Sequence, residues 1–435
     1  MSGTSDNQFV DFKLAITNLI KKSYGQICKD LVEIENNSDD SIGISSDLKK
    51  LFYLINKKQY GSTQLKDIHQ SIYNRTWGRL EKEKGWNHVS WREAFILGQM
   101  SGICYYYTIN DYKKTMELLD LSFIMGAPKD IILPMISIVH SQIIQSIESE
   151  SQLQFPMLNN SIDRTHSSYP KLNDKQLIDV IELDKIDYQY FVDNYQSKSK
   201  PCIIRGDTSS WVAMDKWRDL NFFVKNYGWR LVPVEIGHNK LYGSNSEVEN
   251  DSKEWFEKTM KLQEYIEKYM VGSIDKILLE SQQVGYLAQH NLIEQFPDLV
   301  KDFKRPSLLP PGSDLSPHVW FGTSHTVTPL HYDSYHNFLT QLIGYKYVRL
   351  YPSNMKPYLY IENQDTQNSI TSQSNMSLVD IESPDLTKFP LFSRTEQHYR
   401  EFIMQPGDML YIPSGEWHYV RSLSPSFSLS FWYDL

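Results

Sequence analysis

A series of short, strand-like segments in the C-terminal part of the chain restricts the fold more than any other feature. From about Asp184 onwards, apolar or alternating runs are separated by Gly, Pro, Asn and Asp, the residues that tight turns require. Gly344 lies between two such runs and predicts a hairpin turn, and Pro406–Asp408 predicts another turn. Many short strands joined by tight turns are typical of a β-sandwich or a jelly-roll barrel. The strand-like segments begin at Pro201, Trp229, Asn337, Tyr345, Glu401, His418 and Ser426.

The N-terminal part differs, because its apolar residues recur every three or four positions. The segments 89–107 and 112–126 therefore predict amphipathic helices, and Gly126–Pro128 predicts a helix end. The apolar segment from Pro134 is too short to cross a membrane and predicts a core helix. We therefore predict an α+β chain, with an α-helical N-terminal domain before a double-stranded β-helix. The predicted divisions are residues 1–148 for the helical domain, 149–173 for a polar linker and 174–435 for the barrel.

Two further segments interrupt or decorate the predicted barrel. Residues 362–377 are rich in Asn, Gln, Ser and Thr and lie between strong strand signals, so they predict a surface insertion. The segment from Trp255 to Met270 has helical periodicity and predicts a helix on the outside of the barrel.

Charge and cysteine content exclude several functional classes. The net charge is −9 and the pI about 5.8, with no long basic run, so direct nucleic-acid binding is disfavoured. The three cysteines are far apart, which disfavours a disulfide framework or a zinc ribbon and favours a reducing compartment. The N-terminus lacks the features of a signal peptide. We expect a nuclear or cytoplasmic protein that is neither secreted nor membrane-bound; the oligomeric state stays open.

A metal-binding pattern lies in the segment that ends in His331 and Asp333. Positions i and i+2 of a strand face the same side, so the imidazole and the carboxylate are expected to point together into the barrel. His418, on a later strand-like segment, is the candidate third ligand. Two histidines and one carboxylate form the facial triad of non-haem iron(II) oxygenases, whereas zinc prefers tetrahedral sites. The triplet alone is a weak signal, since about 1.5 such pairs are expected by chance.

A lysine on a following strand predicts that the barrel binds a carboxylate ligand. Lys346 lies fifteen residues after His331, and a lysine inside a barrel needs an anion as partner. A solvated edge-strand lysine is the alternative. Asn337 and Thr328 could add hydrogen bonds, although strand and turn residues of these types are usually structural.

The segment from Thr326 to Ser353 resembles the core of the JmjC oxygenases, as do the runs around Lys200, Tyr286, Ser377 and Gln405. The likeness is greatest to the subgroup of JmjC domain-containing protein five, which has a helical region before its barrel. The resemblance implies a cupin-like JmjC barrel that uses Fe(II), 2-oxoglutarate and O2. The implied iron ligands are His331, Asp333 and His418. The positions implied to contact 2-oxoglutarate are Tyr286, Thr328, Asn337, Lys346 and Trp432.

The same resemblance implies a substrate pocket made by Glu235, Gln289 and Trp320. In that subgroup the pocket is associated with hydroxylation of protein arginine, and methyl-lysine demethylation of histones has also been assigned to it. The expected partner is therefore a protein or peptide with a basic side chain, with histones and ribosomal or chromatin proteins as candidates. The chain departs from the pattern after Glu235, where either Lys240 or Tyr242 could fill the next pocket position.

Two other classes compete with an oxygenase. A cupin-type isomerase or zinc hydrolase could use a similar barrel but would not require Lys346. A non-catalytic interaction module is the other alternative, although such proteins usually lose a metal ligand, and all three are present here. The helical N-terminal domain could pack on the barrel or recruit a partner.

Overall fold

The structure is a computed structural model whose described residues form two compact units. One unit comprises Met1–Gln152 together with Trp229–Val232, and the other comprises Leu153–Gly228 and Pro233–Leu435. The described residues are 13–14, 16–21, 39–80, 89–146, 154–162, 164–165, 169–238, 256–271, 283–313, 315, 317–361 and 375–435.

The first unit is helical, and its helices enclose an aliphatic and aromatic core. Asp111 caps one helix by accepting a hydrogen bond from the Lys114 amide (3.0 Å), and that helix ends just before Gly126, whose φ is +83°. The helix stop predicted at Gly126–Pro128 and the core helix predicted from Pro134 are both confirmed. The helices are α1 (Asp39–Asn56), α2 (Thr63–Leu80), α3 (Val89–Thr108), α4 (Tyr112–Ile124) and α5 (Lys129–Ser146).

A fully buried ion pair ties Trp229–Val232 into the helical unit. The guanidinium of Arg230 donates to the carboxylate of Asp120 on α4 through Nε and through the terminal nitrogen at 2.6 Å, and both side chains are 0% exposed. The backbone amide of Leu231 donates to the same carboxylate at 3.0 Å. Four residues from the middle of the chain thus complete the N-terminal unit.

The second unit contains a nine-stranded sheet and a four-stranded sheet, and it is the predicted jelly-roll fold. The strands are β1 (Asp179–Glu182), β2 (Cys202–Arg205), β3 (Leu231–His238), β4 (Phe256–Lys261), β5 (Gln283–His290), β6 (His318–Gly322), β7 (Val327–Tyr332), β8 (His336–Ile343), β9 (Lys346–Tyr351), β10 (Arg400–Met404), β11 (Met409–Ile412), β12 (Trp417–Ser422) and β13 (Ser426–Tyr433). The nine-stranded sheet has the order β1-β2-β11-β8-β13-β6-β5-β3-β4, and the four-stranded sheet β10-β9-β12-β7.

Short helices connect these strands. They are α6 (Tyr188–Phe191), α7 (Ala213–Lys216), α8 (Leu220–Tyr227), α9 (Leu262–Tyr265) and α10 (Leu292–Gln295).

The hairpin predicted at Gly344 is wrong. β8 pairs with β11 and β13 in the large sheet, whereas β9 pairs with β10 and β12 in the small one. Gly344 (φ +77°) is therefore a corner at which the chain changes sheets, and Pro406–Asp408 makes a second such corner between β10 and β11. A local turn signal cannot distinguish a hairpin from a corner, because the difference depends on partners distant in sequence.

The helix predicted from Trp255 is wrong in its first half. Phe256–Lys261 is β4, the edge strand beside β3, and helical geometry begins only at Leu262. Pairing with a neighbouring strand has overridden the local helical preference.

The described residues of the predicted linker pack within the second unit. The amide of Leu158 donates to the Arg218 carbonyl at 2.8 Å, and the Asn160 side chain accepts from the Gly344 amide at 3.1 Å. Most of the predicted insertion at 362–377 lies outside the described residues. Its last residues are described: Met376 bridges to His331, and Ser377 is buried. No helix in the described part of the chain is long and apolar enough to span a membrane.

Candidate active site

His331, Asp333 and His418 lie together in the second unit. His331 on β7 is directly opposite His418 on β12, and their ring centroids are 4.1 Å apart. Asp333 follows the end of β7, with one carboxylate oxygen 3.9 Å from Nε2 of His331 and the other 3.7 Å from Nε2 of His418. One ligand atom from each residue lies within 4.8 Å of the others, so the three side chains could hold one metal ion.

Backbone carbonyls orient both imidazoles for metal binding. Nδ1 of His331 lies 2.8 Å from the Pro329 carbonyl, and Nδ1 of His418 lies 3.0 Å from the Glu416 carbonyl. A carbonyl can only accept, so each Nδ1 carries the hydrogen and each Nε2 lone pair faces the cluster. Burial and the neighbouring His418 lower the pKa of His331 to about 4, which keeps its imidazole neutral. Neutral imidazole is the form that binds metal.

A β-bulge brings Thr328 to the same cavity as His331. The register between β7 and β12 shifts so that His418 and Val420 oppose His331 and Thr328, which leaves one extra residue on β7. Residues three apart on a regular strand face opposite sides. The bulge reverses this, and both side chains line the cavity.

The triad opens into a cavity lined by all five positions implied to contact 2-oxoglutarate, with about 340 Å³ of empty space that includes open solvent. Its lining combines aliphatic and aromatic side chains with polar and charged ones. The lining residues are Tyr286, Trp320, Thr328, His331, Asp333, Asn337, Leu339, Lys346, Ile412, His418, Val420, Ser430 and Trp432.

Lys346 supplies the positive charge of this cavity. It is 1% exposed, lies within 5.7 Å of the Tyr286 ring centre and makes no ion pair among the described residues. Burial lowers its pKa to about 7. An isolated buried ammonium is costly, so an acidic ligand would stabilise the charged form.

Two other groups in the cavity support a polar ligand. Oδ1 of Asn337 and Nε1 of Trp432 are buried and have no hydrogen-bond partner among the described residues. Native proteins rarely leave such groups unpaired. A dicarboxylate fits a cavity that offers the Lys346 ammonium and the unpaired indole donor of Trp432, whereas Oδ1 of Asn337 can only accept in this orientation. The His–Asp–His set fits a divalent metal with open positions.

The three residues predicted for the substrate pocket have different positions. Trp320 lines the cavity. Glu235 on β3 is paired with Tyr286 on β5; burial raises the pKa of Tyr286, and the Glu235 carboxylate raises it further. Gln289 is exposed at a bulge in β5 with φ +52° and does not line the cavity. Lys240 and Tyr242 lie outside the described residues.

Sequence reasoning missed Ser430, whose hydroxyl lies in the cavity wall. It is 1% exposed and accepts from Nε1 of Trp320 at 2.9 Å and from Nδ2 of Asn337 at 3.3 Å. The signal was available: Ser430 precedes Trp432 by two positions on an alternating strand, and therefore shares its face.

Comparison with known proteins places the chain in a family. The family model described as a cupin-like domain matches residues 188–435. The chain is 43% identical to "JmjC domain-containing protein F" of Dictyostelium discoideum, over 97% of this chain and 98% of that protein. It is 32% identical to "Lysine-specific demethylase 8" of Danio rerio, over 82% of this chain and 83% of that protein.

The chain belongs to the JmjC oxygenase family. It is also 31% identical to "Jumonji C domain-containing protein 5" of Drosophila melanogaster, over 59% of this chain and 60% of that protein. JmjC oxygenases depend on Fe(II) and 2-oxoglutarate. The metal cluster and the lysine-bearing cavity described above have the chemistry that this dependence requires.

Proposed function

We propose that this JmjC oxygenase hydroxylates a protein side chain, and that the side chain is arginine. The observation that carries the proposal is the position of Glu235, which is paired with a cavity-lining tyrosine and close enough to raise its pKa. A carboxylate there could accept two parallel hydrogen bonds from a guanidinium, and the ring of Trp320, 5.8 Å from that of Tyr286, could stack on the same group.

In this proposal, His331, Asp333 and His418 hold Fe(II), and Lys346 pairs with the distal carboxylate of 2-oxoglutarate. Tyr286, Thr328, Asn337 and Trp432 complete the cosubstrate pocket. Together with 2-oxoglutarate and O2, the bound iron supplies an oxidant able to hydroxylate a C–H bond. The protein side chains bind, orient and shield the reactants from water.

Succinate formation and product mass spectrometry test the proposal. The full chain, with Fe(II), 2-oxoglutarate, O2 and a panel of Arg- and Lys-containing peptides, is expected to form succinate and to add one oxygen to arginine. His331→Ala is expected to abolish both, whereas His398→Ala, at an exposed histidine outside the cavity, leaves them unchanged. Turnover that survives His331→Ala would refute the iron assignment and favour another class of cupin.

Methyl-lysine demethylation is a second candidate, favoured by the similarity to lysine-specific demethylase 8 of Danio rerio. Hydroxylation of an N-methyl group gives a product that releases formaldehyde, and the lysine nitrogen then carries one methyl group fewer. If the products show loss of a methyl group from lysine and no oxygen added to arginine, the activity is demethylation and not arginine hydroxylation. Binding of peptides without any succinate would instead favour a non-catalytic interaction module.

We further infer that the partner is a protein with exposed basic side chains, such as a histone or a ribosomal protein. The two proteins would interact in the nucleus or the cytosol. The net charge of −9 supports this choice through electrostatic attraction. Proteins from the nuclear and cytosolic fractions are captured with the Fe(II)-loaded chain. We expect the captured proteins to contain hydroxylated arginine. Modification confined to acidic proteins would contradict it.

A further inference from the structure

Ser430 is a buried hydroxyl that accepts from two nitrogen donors, one on each of the two strands that neighbour its own. It lies on β13, where the indole Nε1 of Trp320 on β6 donates to it at 2.9 Å and the amide Nδ2 of Asn337 on β8 donates to it at 3.3 Å. All three residues line the cavity. Ser430 therefore connects a residue of the proposed substrate pocket with a residue of the proposed cosubstrate pocket.

The two donors differ in what they can do. An indole N–H can only donate, so the oxygen of Ser430 always accepts from Trp320. A side-chain amide has a donor end and an acceptor end, so Asn337 can face Ser430 with either. In the present arrangement its donor end is on Ser430, and its acceptor end, Oδ1, is buried without a partner among the described residues.

This arrangement is unfavourable for a carboxylate ligand. An ionised carboxylate accepts hydrogen bonds and donates none, so an unpaired Oδ1 beside it would repel it. Rotating the Asn337 amide by half a turn would present Nδ2 to the ligand and Oδ1 to Ser430. The serine O–H could then donate to Oδ1, because its oxygen still accepts from Trp320.

We propose that Ser430 is a positioning residue that inverts and then holds the Asn337 amide when 2-oxoglutarate binds. The hydroxyl accepts from Nδ2 without the ligand and donates to Oδ1 with it. A continuous chain then runs from the Trp320 N–H through the Ser430 O–H to Asn337, and it directs the amide donor at the cosubstrate. The inference rests on the proposed cosubstrate pocket, and within it Ser430 controls the orientation of the Asn337 amide.

Binding of 2-oxoglutarate to the full chain tests this inference without turnover. The chain is loaded with Mn(II) in the absence of O2, and 2-oxoglutarate is titrated by calorimetry. Ser430→Ala is expected to raise Kd about tenfold, the ratio that corresponds to one lost hydrogen bond. Mn(II) affinity is expected to stay unchanged, because Ser430 is not one of the metal-ligand candidates.

Ser428→Ala is the matched control. Ser428 is a buried serine two positions earlier on the same strand; it donates to Oε1 of Gln341 at 2.7 Å and does not line the cavity. Its loss is expected to lower Tm but to leave the Kd for 2-oxoglutarate unchanged. An equal rise in Kd for both variants would mean a general loss of packing and would overturn the inference.

Trp320→Phe keeps an aromatic ring and removes the N–H, so it tests the chain of hydrogen bonds itself. We expect it to weaken 2-oxoglutarate binding severalfold in the natural protein and to add nothing in the Ser430→Ala background. Additive effects, or an unchanged Kd in Ser430→Ala, would overturn the inference. If the natural protein with Mn(II) failed to bind 2-oxoglutarate at all, the proposed cosubstrate pocket would fail instead.

Discussion

Lys346 makes the stability of the protein depend on pH. Burial lowers its pKa to about 7, whereas a lysine in the unfolded chain keeps its proton up to a pH of about 10.4. Between these values the unfolded chain binds more protons, so this residue makes the free energy of unfolding rise with pH, by at most about 1.4 kcal/mol per pH unit. Below a pH of about 7 the lysine is charged in both states, and its destabilising contribution to the fold is at its maximum and no longer changes with pH.

Lys346→Met should remove this dependence. The free energy of unfolding is measured with urea at about pH 7.0 and about pH 9.5, both within the expected window. It should increase less between these two pH values in the variant than in the natural chain. The variant should also be more stable at the lower pH. Lys388→Met, at an exposed position, provides the control. An equal increase for Lys346→Met and the natural chain would mean that Lys346 titrates as a solvated residue.

Glu235→Gln tests the substrate assignment while keeping the shape of the side chain. Loss of a charge-assisted pair with a guanidinium should raise KM for an arginine peptide by about 10- to 100-fold. The KM for 2-oxoglutarate should stay unchanged, since Glu235 does not line the cavity. Glu396→Gln, at an exposed position, is the control. Unchanged peptide KM in Glu235→Gln would remove arginine recognition from this residue.

Among the elements, the corner at Gly344 is the most demanding connection. Its φ is +77°, and an added Cβ would collide with the carbonyl oxygen of Pro425. The corner determines that β8 enters one sheet and β9 the other, which places Asn337 and Lys346 on different walls of one cavity.

Gly344→Ala should therefore destabilise the protein by about 4 kcal/mol, from the positive φ and the collision together. Gly312→Ala is the matched control, because Gly312 also has a positive φ (+85°) but a Cβ added there would have no atom within 4 Å. We expect it to cost only about 1–2 kcal/mol, as measured by urea unfolding. Similar losses for the two variants would mean that the Pro425 contact relaxes freely.

For the molecule as a whole, the ion pair between Asp120 and Arg230 joins distant parts of the chain within the helical unit. Asp120→Ala leaves a buried guanidinium without its carboxylate and should destabilise the protein by about 3–5 kcal/mol. The double variant Asp120→Leu with Arg230→Met should recover most of that loss, because it removes both charges. Urea unfolding of both variants checks this, and equal losses would indicate packing rather than charge.

The sequence by itself determined the features that depend on local periodicity and on side-chain chemistry. The segment 89–107 is helix α3 as predicted, but residues 94–104 are buried on all faces, so the helix is not amphipathic as the sequence had suggested. The predicted strand-like runs became strands. The metal-ligand candidates and Lys346 were predictable because few residue types can hold iron or neutralise a buried acid. The sequence also predicted that His331 and Asp333 would lie together, and they do, although β7 ends at Tyr332, just before Asp333.

Only the tertiary structure decided features that depend on partners far apart in sequence. The sheet change at Gly344, the bulge that brings Thr328 to the side of His331, and the assignment of Trp229–Val232 to the helical unit are of this kind. Ser430 belongs with them in part: strand alternation places it on the same face as Trp432, but its hydrogen bonds with Trp320 and Asn337 depend on two other strands. The physical reason is that backbone pairing and buried hydrogen bonds form between distant segments, whereas periodicity reports only neighbours.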